Sequence, residues 1–271
     1  MKSLCSILIA CFGLLSCGST DEVHYYYSEW QFSGKEKAVL KKAQSLKHLE
    51  LSHYRESVLP NEVIPKAINI ERLKVKAFQE KGRLITTESP LEIDYQKLSE
   101  LSKLKSLTLS GFRFDEFPTE FAKIESLEFL SIEISGMSSF PTDLSSFSKL
   151  EFLDLGMSDF ESLPEKILLP NSLKYLSMAN CKLKNIPSDV FEGSNLETVI
   201  INNREGYHRD LSSNQIPVDV HIKLLKSLLT SDNIKEVHIQ VYSCDEKKKI
   251  LGALDKKDHS RIKIAITNGR C

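Results

Sequence analysis

Three aromatic side chains, Phe129, Phe152 and Tyr175, recur at intervals of 23 residues. If the chain is built from a unit of that length, the rings line up one strand apart on a single face. An aromatic strip open to water marks an interaction surface, because aromatics supply most binding hot spots. The same interval brings Ser131, Asp154 and Ser177 into one neighbouring column and Glu133, Gly156 and Ala179 into another. These small or acidic residues are expected to lie flat beside the rings on the open face. The competing reading is that cross-strand aromatic pairs only stabilise a sheet, by about 0.2–1 kcal/mol each. Toward the amino terminus Arg72, Lys74 and Lys76 alternate along one segment and point to the same side of an extended strand. Such a cluster of like charges either meets an anionic partner or forms a solvated face.

Covalent chemistry finds no matching motif. The sequence lacks a phosphate-binding G-x-x-x-x-G-K-[ST] loop, G-x-G-x-x-G, H-E-x-x-H, C-x-x-C and a G-x-S-x-G elbow. Of seven histidines only His48 and His53 have metal-ligand spacing, and residues five apart on a strand face opposite sides. No metal, no cofactor and no catalytic residue is therefore expected. A net charge of −1 removes the electrostatic footprint of a nucleic-acid binder. The chemistry left is recognition.

The elements that must position these residues are short and repeated. Leu104, Leu127, Leu150, Leu173 and Leu196 lie 23 residues apart, each opening an L-x-x-L-x-L pattern with Val, Ile or Met as variants. A proline follows 14 residues after the lead position, as Pro118, Pro141, Pro164 and Pro187, always behind an apolar residue. Three residues further on come Phe121, Leu144, Ile167 and Val190. Alternating apolar residues make a strand with one buried face. Proline ends the pairing and turns the chain, and the next apolar residue returns it to the core. One such unit cannot bury its own leucines; stacked neighbours can. Earlier, less regular units start at Leu46 and Ile70, the second carrying about 11 extra residues, read as a longer loop over 81–90.

This pattern resembles leucine-rich repeats of the Ras-group type with the L-P step. The resemblance implies an α/β solenoid, curved, with a parallel β-sheet on its concave face and short helices or 3₁₀ turns on its convex face. It further implies a non-enzymatic module that binds a macromolecule, most simply a protein, through the concave face, with a glycan ligand or a passive envelope spacer as alternatives. One departure concerns the asparagine expected eight residues after the lead leucine. That column reads Phe112, Ser135, Ser158, Cys181. A loop edge held by serine bonds and apolar packing is expected instead.

The chain begins with Lys2, an apolar run over 4–15 and then Leu14-Leu15-Ser16-Cys17. The run is too short to span a bilayer. The ending resembles the bacterial lipobox, whose cysteine is lipidated and becomes the first mature residue. Cys17 is therefore the expected lipid attachment point, and residues 1–16 the signal peptide. The resemblance implies a lipid-anchored protein of the bacterial envelope. Gly18 in place of an aspartate points to the outer membrane, with the periplasmic or surface-exposed side left open. Residues 17–32 read as tether and start of an amino-terminal cap, 33–233 as repeats with a cap helix over 35–43, and 234–271 as an irregular carboxy-terminal repeat and cap. That last part is expected to hold a strand through Ile234, Val237 and Ile239, a helix from Asp245, and a strand through Ile262, Ile264 and Ile266. If Ile239 lies beside Ile266, Cys244 and Cys271 are neighbours at disulfide distance; otherwise both are free thiols.

Overall fold

The computed structural model describes residues 22–26, 40–54, 58–77, 79–80, 83–84, 93–202 and 214–267. The expected signal peptide, Cys17, most of the stretch 81–90 expected as a longer loop, and Cys271 lie outside them.

The apolar alternation makes strands, and constant spacing stacks them. Ten form one parallel sheet: β1 (Glu22–Tyr26), β2 (His48–Tyr54), β3 (Arg72–Ala77), β6 (Ser106–Ser110), β7 (Phe129–Glu133), β8 (Phe152–Asp154), β9 (Tyr175–Ser177), β10 (Thr198–Ile200), β11 (Glu236–Val241) and β12 (Ile262–Ile266). Among the described residues, a small antiparallel hairpin, β4 (Gln79–Glu80) and β5 (Arg83–Leu84), falls outside the sheet, inside the enlarged second unit. Strand order follows chain order throughout, as a right-stacked coil of repeats requires. β1 comes from the stretch read as tether; it pairs with β2, Glu22 opposite His48.

Each lead residue and the two inward strand positions are core. Leu104, Leu107, Leu109, Leu130, Leu150, Leu153, Leu176 and Leu196 have no exposed surface. The convex side changes along the coil. It carries a helix at Val58–Val63, a helix at Tyr95–Ser99 with Asp94 as its N-cap, and a 3₁₀ turn at Thr119–Lys123. In the next repeats it runs through short bridges, Asp143–Leu168 and Ser162–Asn185, and turns, the longest over 188–193.

Right after each central strand the chain passes through a left-handed residue: Gly111, Ile134, Met157 and Asn180, with φ of 82°, 55°, 58° and 59°. Their N–H groups donate sideways to the carbonyls of Glu133, Gly156, Ala179 and Asn202, which holds the turn in step from repeat to repeat. Gly111 and Asn180 tolerate this conformation; β-branched Ile134 is strained by it.

Serines replace the missing asparagine ladder at this edge. Ser135 Oγ lies 3.1 Å from Ser158 Oγ, whose hydroxyl donates to the Leu155 carbonyl at 2.7 Å. One asparagine does appear, beyond the insertion: Asn214. Its Oδ1 accepts from the N–H groups of Cys181 and Leu183 at 2.9 and 3.0 Å, and its Nδ2 donates to the carbonyls of Met178 and Ile201 at 2.9 Å each.

The carboxy-terminal units use longer helices, Val218–Leu228 and Cys244–Gly252. The first buries His221, Leu224, Leu225 and Leu228. Val220 is partly covered and packs against the same core. The final register differs from the one that would make the two cysteines neighbours: Ile239 pairs with Ile264, and Val241 with Ile266. Cys244 sits at the start of a helix and is disulfide-bonded. Its expected partner Cys271 is outside the described residues, so that pairing remains a proposal. Cys181 is buried and free.

Candidate functional site

The outward positions of β6 to β9 place Ser106, Phe129, Phe152 and Tyr175 side by side, each directly opposite the next. The three rings stack face to face. Phe129 and Phe152 have centroids 4.2 Å apart and planes 12° from parallel; Phe152 and Tyr175 are 4.0 Å and 10°. All three are half-buried on the concave face, not turned into the leucine core. Because they are stacked, the middle ring has no free face, and the strip shows mainly ring edges to solvent.

The columns beside the rings differ from the expected flat, open shelf. Ser131, Asp154 and Ser177 are buried, at 3%, 6% and 1% exposure, and Gly156 and Ala179 are buried as well. Strands about 4.8 Å apart on an inward-curving face crowd together, so short side chains sink below taller neighbours. Asp154 uses an oxygen internally, accepting from the Gly156 N–H at 2.9 Å. Asp154 therefore supports the turn behind the strip, and only Glu133 of this set keeps partial exposure.

The basic strand is not an open cationic patch. Lys74 is 2.8 Å from Glu50 on β2. Burial, then the Lys74 ammonium, push the Lys76 amine below its ordinary range, while Glu133 and Glu50 act in the opposite direction. Arg72 is exposed and leans toward His48, its Nη2 2.9 Å from His48 Nδ1. Charge on β3 is thus matched largely by its own neighbours. His48 is engaged with Arg72, and among the described residues no group of three or more His, Cys, Asp and Glu side chains is placed to hold a metal.

Between the rings and β3 lies a groove of about 320 Å³ lined by His48, Arg72, Ser106, Phe129 and Phe152 and rimmed by Glu71, Lys105, Glu128 and Glu151. The rim residues come from the position just before the outward one. Sequence reading passed over this column, which runs Lys47, Glu71, Lys105, Glu128, Glu151, Lys174, Glu197, Lys235. Several of its members pair across strands, as in Lys174–Glu151 at 3.1 Å and Lys47–Glu71 at 3.9 Å. Glu128 and Lys105 make no ion pair with any described residue.

Residues 172–194, around Tyr175, match the Leucine Rich Repeat family. The chain carries leucine-rich repeats. The ten-strand parallel stack extends the same unit to both sides of the matched segment. The fold is similar to that of a Leptospira interrogans leucine-rich repeat protein, at 17% identity and TM-score 0.46 over 84% of this chain and 68% of that one. It is also similar to the leucine-rich repeat domain of the type III effector XopL, at 18% identity and TM-score 0.49 over 88% and 85%. A third likeness is to TLR13, solved in complex with a single-stranded RNA, at 19% identity and TM-score 0.38; it covers 76% of this chain and 34% of TLR13. None of the curated proteins matches in sequence. Leucine-rich repeats serve typically as interaction scaffolds, generally for protein partners. Among the described residues no helix is long and apolar enough to cross a membrane.

Proposed function

We propose that this leucine-rich repeat protein is a non-enzymatic, lipid-anchored component of the bacterial envelope that binds a protein partner through its concave face. The observation that carries the binding reading is the stack Phe129–Phe152–Tyr175, three rings held in register and left partly open on that face. Rigid aromatics lose little entropy on contact and bury much area, which suits an anchor strip. Their geometry also favours a protein over a glycan. Sugars pack on ring faces, but here neighbouring rings cover each other, so a glycan would find edges along most of the strip. The recessed serines and the self-matched basic strand leave the rings and the groove beside them as the surface best fitted to docking.

The anchor reading rests on the lipobox-like Leu-Leu-Ser-Cys ending at Cys17. Labelled palmitate is expected in the wild-type chain expressed in a bacterial host and absent from Cys17→Ala. The decisive test of the binding face is capture from envelope extract by the wild-type chain and by the double variant Phe152→Ala/Tyr175→Ala. Loss of capture is expected, with stability lowered by no more than about 2 kcal/mol. Unfolding of the double variant would make the strip structural and support the spacer reading; unchanged capture would move the binding site elsewhere.

A further inference from the structure

The outward column has one conspicuous gap. Arg72, Ser106 and Phe129 stand opposite one another on β3, β6 and β7, so the two outer members are about 9.6 Å apart, two strand spacings. Where a fourth ring would continue the stack, the chain has serine. The face of Phe152 toward β7 is covered by Phe129, but the face of Phe129 toward β6 meets only the Ser106 side of the groove. Arg72 widens the opening by leaning away toward His48. The gap is therefore one ring thick, with a π face on one wall, a cation on the other and a small hydroxyl floor.

We infer that this Ser106 slot receives one aromatic side chain, best a tyrosine, from the protein partner, which completes the ring stack as its fourth member. The inference rests on the reading of the concave face as a docking surface and adds the residue class that enters it. A guanidinium would also stack on Phe129 and would be drawn by the rim carboxylates, but inside the slot it would face the Arg72 charge across one ring's thickness. A neutral ring avoids that repulsion and gains from the same cation. A nucleobase would bring its phosphates against the carboxylates of Glu71, Glu128 and Glu151 at the rim. A tyrosine hydroxyl, by contrast, finds in Glu128 an acceptor not committed to any ion pair with a described residue.

The test uses the full chain and N-acetyltyrosinamide as probe, followed by NMR, with methyl β-glucoside and N-acetylargininamide in parallel. Expected are upfield ring-proton shifts of the tyrosinamide, the signature of a ring lying over Phe129, with weak saturable binding. Ser106→Phe, which plugs the slot with the chain's own ring, is expected to weaken that binding roughly tenfold or more. The thermal melt of Ser106→Phe is expected to match that of the wild-type chain, which separates plugging from damage to the fold. Tyrosinamide binding that Ser106→Phe does not weaken, a response to the glucoside or argininamide alone, or no response to any probe would overturn the inference. The Phe152→Ala/Tyr175→Ala variant keeps the two readings apart. If it loses envelope capture while Ser106→Phe does not, the strip stands and the slot falls. If Ser106→Phe loses capture while the alanine pair keeps it, the slot stands and the strip falls.

Discussion

The central repeats and the carboxy-terminal units extend one sheet by different means. From Leu104 to Asn180 the layers repeat the same contacts: a buried apolar triplet, a sideways bond from a left-handed residue, and a phenylalanine, serine or cysteine at the turn. Beyond Asn214 the layers are held by contacts that occur once. Arg261 reaches back to the carbonyls of Ile234, Leu229 and Ser231 at 2.8, 3.3 and 2.6 Å and pairs with Asp258 at 2.9 Å. His221 is buried with Nδ1 unpartnered. Periodic packing spreads stability over equivalent, mostly uncharged positions, which leaves outward residues free to vary for binding. The carboxy-terminal layers lean instead on specific ionisable groups, which make that part of the coil sensitive to pH.

The largest expected effect tests the periodic half. Leu176→Ala removes an unexposed side chain from the middle of the stack. It is expected to cost about 4 kcal/mol by denaturant titration, equally at pH 5 and pH 8, both on the order expected for an aliphatic cavity without titration. At the closed end, Arg261→Ala strands Asp258 and three carbonyls and is expected to cost about 3 kcal/mol. A loss below about 1 kcal/mol would show that the end does not depend on its charged clamp.

The pH arm of the comparison belongs to His221. Burial holds its imidazole at about 4 against an ordinary 6.5, with the Gln240 backbone bond and then Glu246 opposing the shift. The folded chain keeps it neutral, whereas the unfolded chain protonates it below 6.5. Stability is therefore whole above about pH 6.5 and falls as the pH drops toward about 4, by on the order of 3 kcal/mol. His221→Leu is expected to flatten that window; an unchanged pH profile would assign the dependence to other groups. The smallest effect sharpens the account of the central turns. Ile134→Asn replaces a β-branched left-handed residue by one that tolerates the conformation, and is expected to raise stability by about 1 kcal/mol in a thermal melt. Destabilisation would mean that the Ile134 side chain packs usefully despite its strain.

Much of this was legible in the residues. A constant interval of 23 converts directly into one strand spacing, so the lead leucines, the prolines and the three rings had to fall into columns once the coil formed. The solenoid, its parallel sheet and the shared face of Phe129, Phe152 and Tyr175 follow from that arithmetic. The period says which residues share a column, not how deep each sits. The burial of Ser131, Asp154 and Ser177 depends on how tightly neighbouring strands crowd an inward curve. The exact interval also stops after Asn202: Asn214 takes the turn position, and Ile239 pairs with Ile264 rather than Ile266.

By itself, then, the sequence determined the pitch of the coil, the composition of its core and the strip of rings, because each depends only on spacing along the chain. The covering of one ring by the next, the empty place over Ser106, the pairing of Lys74 with Glu50 and the clamp of Arg261 were decided by tertiary structure. Each of these depends on the size and tilt of side chains brought together from different repeats, and no single column records that.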